Sequence, residues 1–221
     1  MVKKGTPYLR EYILKDPSVF NDQLIQAAGG KEIFLVKNST KFLVNFSKLM
    51  RLILENSSKE FIPIETEMEI LQKYLETQKL RFEDRFEFTV DAEDILFDDE
   101  AQIPPMITQP FIENAIEHGQ LHTVENGFIH ISFTKIDSFL HIEITDNGIG
   151  RKGAAANKKS SEHKSMAMNI TNERIENLNQ KYKTDGNLMM EDFDKQKETG
   201  TLVHINLPYQ TKFTDNKPKK P

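Results

Sequence analysis

The stretch Leu140-His141-Ile142-Glu143-Ile144 alternates apolar and polar residues, the period-two signature of a half-buried strand. The same alternation recurs over 85–91, 128–134, 187–192 and 201–207, which predicts five strands. Other stretches carry a helical period. From Ser39, a suitable N-cap, the residues Phe42, Phe46, Leu49 and Ile53 recur with Leu43, Met50 and Leu54 to form a broad apolar stripe ending near Asn56. A second helix over about 65–81 turns Met68, Leu71 and Leu75 inward. A third, from Phe111 to Glu117, follows a proline-rich run and groups Phe111, Ala115 and His118 on one face. A fourth covers 162–182. Between these elements, 91–100 reads as an acidic loop with Ile95, Leu96 and Phe97 tucked in, and 151–164 as a polar, flexible loop.

Three polar or glycine clusters stand at the edges of these elements. Asp146-Asn147-Gly148-Ile149-Gly150 ends the 139–145 strand. A carboxylate there is able to accept a hydrogen bond from an exocyclic amine, and glycines allow backbone to approach a ligand or adopt positive φ. The competing reading is a β-turn in which Asp146 bonds its own backbone. Asn114 stands on the third predicted helix, between Glu113 and Glu117, and Gly200-Thr201 opens the last strand.

The order Asn helix, Asp-Gly-Gly turn, Gly-Thr strand resembles the Bergerat (GHKL) nucleotide-binding domain of sensor histidine kinases, gyrase-type ATPases and Hsp90-type chaperones. Gln109-Pro110-Phe111-Ile112-Glu113-Asn114-Ala115-Ile116-Glu117-His118-Gly119 is similar to the N box of one branch, the LytS/YehU-type sensor histidine kinases. Phe46–Arg51, Tyr74–Phe82 and Ile103–Met106 resemble further motifs of that branch, so the likeness runs over about residues 39–208. It implies an α+β fold: a helical hairpin followed by a two-layer α/β sandwich. It also implies ATP and Mg2+ as ligands. Asp146 would read the adenine, Asn114 would offer an amide oxygen to the metal, and His118, Gly148, Gly150 and Thr201 would line the nucleotide. Arg151 to Ser161 would form a lid. Lys164 and Ser165 would stand at the second glycine box, where helix N-terminal N–H groups cap a phosphate. Ala167 replaces a glycine common there.

Two departures matter. The gyrase-type branch places a water-activating glutamate four residues before the Asn, where this chain has Pro110, so hydrolysis by that route is not expected. The kinase branch phosphorylates a histidine in an upstream Asn-Pro-His-Phe motif. All six histidines here (118, 122, 130, 141, 163, 204) lie at or beyond His118. Asp16-Pro17-Ser18-Val19-Phe20-Asn21 is the nearest counterpart, with Ser18 in the histidine's place, and a hydroxyl without an activating base is a poor nucleophile. Autophosphorylation in cis is therefore doubtful. The rival is a pseudokinase that binds ATP and regulates a partner kinase or response regulator. An anti-sigma-type serine kinase on the same fold is a further alternative.

Composition narrows the partners. A net charge of −5 argues against sequence-independent nucleic-acid binding. No cysteine is present, which excludes disulfides and cysteine-ligated zinc and suits a reducing cytoplasm. No apolar run approaches the roughly 20 residues a membrane span needs, and no signal peptide is evident. The chain is either a stand-alone member or part of a longer membrane protein. The expected organisation is an N-terminal segment of unclear structure (1–38), a helical dimerisation hairpin (39–84), an ATP-binding domain (85–209) and a disordered tail (210–221). The hairpin's wide stripe suits a dimer, and the resemblance implies a homodimer, or a heterodimer with a related kinase, working with a response regulator.

Overall fold

The apolar stripe that begins at Phe42 belongs to a longer helix than its capping pattern predicts. The computed structural model describes residues 31–92, 101–155, 158–193 and 199–209. Within them, α1 (Lys31–Asn56) starts directly after the Gly29-Gly30 pair and takes in the short apolar run Ile33–Val36. Ser39 is thus interior to the helix and caps nothing. An interior serine costs only a few tenths of a kcal/mol in helix propensity, about 0.5 relative to alanine, too little to stop a helix already running.

At its end, Asn56 is buried; its Nδ2 donates to Leu52 O at 2.8 Å and its Oδ1 accepts from Lys59 Nζ at 2.9 Å. A short strand β1 (Ile62–Pro63) leads into α2 (Ile64–Arg81). Acidic residues open α2 and Lys79 and Arg81 close it, as the helix dipole favours. The helices α1 and α2 pack side by side. Leu49, predicted as part of one continuous stripe, is buried at 4% exposure, whereas Leu43, Phe46, Met50 and Leu54 stay exposed. So one edge of the stripe meets α2 and the other faces outward.

The remaining strands are β2 (Phe86–Asp91), β3 (Gln102–Ile103), β4 (Gly127–Ile136), β5 (Phe139–Asp146), β6 (Asn187–Asp192) and β7 (Thr201–Pro208). β1 and β3 pair as a two-stranded ribbon. The other five form a mixed sheet in the order β2-β4-β5-β7-β6, with β2 parallel to β4 and the other pairs antiparallel. Ile129, Ile131 and Phe133, then Leu140, Ile142 and Ile144, then Val203, Ile205 and Leu207 fill one face, and all are buried. Burying each is worth about 1.5–3 kcal/mol, which fixes which face turns inward. α2 lies against β2, and α5 (Lys158–Tyr182) lies against β6. This is the expected α+β architecture, a helical pair joined to a two-layer sandwich.

The stretch 151–164 departs from its predicted loop. A short helix α4 (Gly150–Ala155) follows the Asp-Gly-Gly turn, and α5 is helical from Lys158. Alanine and lysine are good helix formers, and that propensity overrides the low hydrophobicity that suggested a loop. The predicted N-terminal segment up to residue 30, including Ser18, the Ile95–Phe97 loop and the tail from 210 lie outside the described residues.

Candidate nucleotide-binding site

The Asn-bearing segment is built in two parts. An α-helical turn α3 (Gln109–Glu113) begins with Pro110 in its first turn, where a missing N–H costs nothing. It continues as a π-helical turn, Asn114–His118, closed by Gly119 N–H donating to Asn114 O at 2.7 Å. Single π turns inside helices are frequent at functional sites. Phe111, Ile112, Ala115 and Ile116 are buried, while Asn114 and His118 are half-buried. Gly119 ends the turn because a Cβ there would lie 2.4 Å from Ala115 O.

A buried carboxylate fixes the approach to this segment. Glu67 of α2 is fully buried; it accepts from Met106 N–H at 2.9 Å and from Thr108 Oγ1 at 3.1 Å. Burial pushes its carboxyl up to about 6, and the hydrogen bonds from Met106 and Thr108 and the charge of Arg174 only partly offset this. Arg174 of α5 donates to Pro105 O at 2.9 Å. The strand-to-helix run 104–108 is therefore clamped by α2 on one side and α5 on the other.

At the end of β5, Asp146 is buried at 4% exposure. Its Oδ1 accepts the N–H of Gly148 at 2.9 Å, the Asx arrangement that was the competing reading of this residue. The bond holds the carboxylate in one orientation. Asn147 closes the turn from the other side: its Oδ1 accepts from Phe128 N–H at 2.7 Å and its Nδ2 donates to Asn126 O at 3.0 Å. Gly150 has φ +67°, the left-handed conformation that glycine takes without a Cβ penalty.

The three predicted clusters converge. Ile149 N–H donates to Gly119 O at 2.8 Å, tying the Asp-Gly turn to the end of the Asn segment. A Cβ on Gly148 would lie 2.6 Å from Gly119 O. Asp146 pairs with Thr201 across β5 and β7, and Thr199 Oγ1 donates to Gly148 O at 3.0 Å. A Cβ on Gly200 would lie 1.9 Å from Asp146 O, so Gly200 is demanded by backbone packing at the turn.

Other predicted residues are placed differently. Arg151, expected in the lid, has its Nε 2.6 Å from Asp192 Oδ1 and donates to Met190 O, so it joins α4 to β6. Glu113 accepts from Gln109 Nε2 at 2.8 Å, and Glu117 pairs with Arg81 at 2.5 Å, joining the Asn segment to α2. Lys164 and Ser165 fall on α5 well past its first turn, and only the first four N–H groups of a helix lack partners. Their backbone is therefore not a helix N-terminus, and their side chains lie outside the described part. Sequence reading missed Glu67, Arg174, Asn147 and Thr199; of these only Asn147, within Asp-Asn-Gly, carried a local signal.

The three clusters thus meet at one end of a mixed sheet of order β2-β4-β5-β7-β6. A family model described as Histidine kinase matches residues 32–86. Sensor protein LytS of Oceanobacillus iheyensis is 32% identical over 178 residues, covering 76% of this chain and 28% of that protein. LytS of Enterococcus faecalis is 25% identical over 188 residues, 81% of this chain and 30% of that protein. Sensor histidine kinase YesM of Bacillus subtilis is 31% identical over 130 residues, 59% of this chain and 21% of that protein. Among solved structures, the catalytic domain of histidine kinase ThkA is similar at TM-score 0.46, with 14% identity, over 67% of this chain and 93% of that one. The chain belongs to the LytS-type sensor histidine kinase family. It spans less than a third of the length of the LytS proteins it matches. Among the described residues, no helix is long and apolar enough to cross a membrane.

Proposed function

We propose that this chain is the ATP-binding catalytic core of a LytS-type sensor histidine kinase in two-component signalling. The observation that carries this reading is the convergence of the Asn114 segment, Asp146 and Gly200-Thr201 through the Gly119–Ile149 and Asp146–Thr201 pairings. Asp146 is the adenine-reading acceptor, held in place by its bond to Gly148. Gly148 and Gly150 keep the turn free of side chains where it meets the ligand. Asn114 and His118 face the phosphates, and Thr201 stands beside Asp146.

The donor set fits a magnesium nucleotide. Asn114 Nδ2 is buried without a hydrogen-bond partner, the kind of donor a phosphate oxygen satisfies. Its amide oxygen is a hard ligand of the type Mg2+ takes alongside water and phosphate. When bound, the metal neutralises charge on the transferred γ-phosphoryl group; the protein orients the nucleotide. Lys164 and Ser165 stand on α5, in the segment that corresponds to the family's second glycine box.

The exposed apolar edge of α1 supports dimerisation through the hairpin, with a second copy or a related kinase. The family supports a cytoplasmic location and a response regulator as phosphoryl acceptor. The pseudokinase alternative has no observation in its favour beyond the absence of a histidine before His118. Calorimetry with ATP, with and without Mg2+, tests the reading: Mg2+-dependent binding supports it, and no binding at millimolar nucleotide overturns it.

A further inference from the structure

The sheet face turned away from the buried core carries a cluster that nucleotide binding leaves unused. His141 and Glu143 are two residues apart on β5, so both project to that face. Register places His204 of β7 directly opposite Glu143, and Asn206 opposite His141. One ligand-capable atom from each of His141, Glu143 and His204 lies within 4.8 Å of the other two. His204 Nδ1 is 3.7 Å from Glu143 Oε2, and it is buried without a hydrogen-bond partner. On the ring's other side, His204 Nε2 is 3.6 Å from Glu191 Oε1.

The second imidazole rests on an amide. His141 Nδ1 is 2.6 Å from Asn206 Oδ1, and Asn206 Nδ2 donates to Asn187 Oδ1 at 2.9 Å. In this arrangement the amide oxygen accepts from His141, which puts the proton of the neutral ring on Nδ1 and leaves the lone pair on Nε2. A metal-bound imidazole is held in this way, its other N–H donated to an oxygen. Glu191 stands in the corresponding position for His204.

We propose that His141, Glu143 and His204 form a binding site for a transition-metal dication of the zinc class on the outer face of the sheet. Two imidazoles and one carboxylate are a common zinc set, whereas magnesium and calcium prefer all-oxygen shells. Ligand atoms of a tetrahedral zinc ion stand about 3.3 Å apart, given bonds of about 2.0–2.2 Å. The His204–Glu143 separation of 3.7 Å is already near that value. The wider span to His141 closes by rotamer adjustment, since all three side chains are only half-buried. The fourth position is left to water. Along β5 the odd-numbered residues face this site and the even-numbered Asp146 faces the opposite side of the sheet, so the two sites are separate.

The test uses the full chain without an affinity tag, titrated with Zn2+ in competition with a chromophoric chelator, and with Co2+ followed by its visible absorption. The expected result is one Zn2+ per chain and a tetrahedral Co2+ band. His141→Ala and His204→Ala should each weaken binding by about tenfold or more and abolish the band. Glu143→Gln should weaken binding while preserving the fold by circular dichroism. His130→Ala, on the same face but outside the cluster, and Asp146→Asn should bind zinc like wild type. Failure to bind at about 100 µM Zn2+, or wild-type affinity in His204→Ala, overturns the site.

Discussion

The backbone N–H of Met106 donates to the buried Glu67 carboxylate at 2.9 Å, and Met106 has φ +55°, a left-handed conformation unusual for a residue with a side chain. The helical pair and the nucleotide domain are thus joined by a carboxylate that holds a strained turn one step ahead of the Asn segment. Its consequence is a pH dependence. The native carboxyl keeps its proton up to about 6, above the ordinary glutamate value of 4.5. The native state therefore binds more protons than the unfolded chain in that window, and stability falls as pH rises. The Glu67 contribution is fully present below about 4.5 and is lost as pH rises through about 6, a change of about 2 kcal/mol. Urea unfolding of wild type and Glu67→Gln across this range should show a stability difference that changes by that amount; a pH-independent difference removes the assignment.

Asp146→Asn isolates base reading from folding. An asparagine Oδ1 still accepts the Gly148 N–H, so the turn bonded at 2.9 Å is kept. The charge that receives an exocyclic amine is lost. ATP affinity should fall by about 2 kcal/mol, in the range for a charge-assisted hydrogen bond, with little change in melting temperature. Equal ATP affinity in calorimetry would remove Asp146 from the site.

Gly200→Ala places a Cβ 1.9 Å from Asp146 O, a backbone atom at the end of β5 where it pairs with β7. Neither partner moves without displacing Asp146 itself. The variant should lose about 1–3 kcal/mol of stability, as overpacked sites do. It should also lose ATP affinity, although residue 200 supplies no side chain to the ligand. Unfolding and calorimetry on one preparation check both; wild-type values in each would show that the turn relaxes freely.

Most of the sandwich was legible because strands β4, β5 and β7 alternate cleanly and one face is entirely buried. Their predicted limits differ from the observed ones by a few residues. The clusters at Asn114, Asp146 and Gly200 were visible because each is polar or glycine at an element's edge, where local chemistry shows through. Glu67 was invisible for the opposite reason. Its partners Met106 and Thr108 lie about forty positions away, and in sequence it is one more acidic residue in a helix's first turn. The start of α1 and the helices at 150–155 and from 158 onward do not follow from hydrophobic period; they follow from plain propensity. The two histidines on β5 and β7 looked like the polar half of an alternating strand until register set His204 opposite Glu143.

Dimerisation should depend on the outer edge of α1 and not on its inner one. Leu49 is buried within the chain, so a charge there would unfold the hairpin and say nothing of assembly. Leu43 and Leu54 are 61% and 68% exposed on the same helix as the stacked pair Phe42 and Phe46. Leu43→Glu combined with Leu54→Glu should give a folded monomer in sedimentation, while wild type is dimeric at tens of micromolar (about the range of a weak complex). A wild-type monomer at that concentration would count against the hairpin as the dimer interface.

Phosphotransfer within this chain should be absent or very slow. A histidine must meet the γ-phosphate in line, and a residue that helps hold the nucleotide is badly placed to attack it. His118 ends the Asn114 turn. His122 stacks on Phe82 with ring centroids 4.3 Å apart. His130 pairs beside Asp91 and Thr89, and with His141 and His204 it lies on the face of the sheet opposite Asp146. His163 is carried by α5, within the same domain. Incubation with labelled Mg-ATP should therefore yield no acid-labile, base-stable phosphoprotein beyond background, even though nucleotide binds. Adding a histidine-bearing relative as acceptor should give label on that partner. Ser18→His should restore transfer within the chain if residues 16–21 present it as the family's acceptor is presented. Strong labelling of the unmodified chain, mapped to any of its six histidines, would reverse this prediction and make that histidine the acceptor.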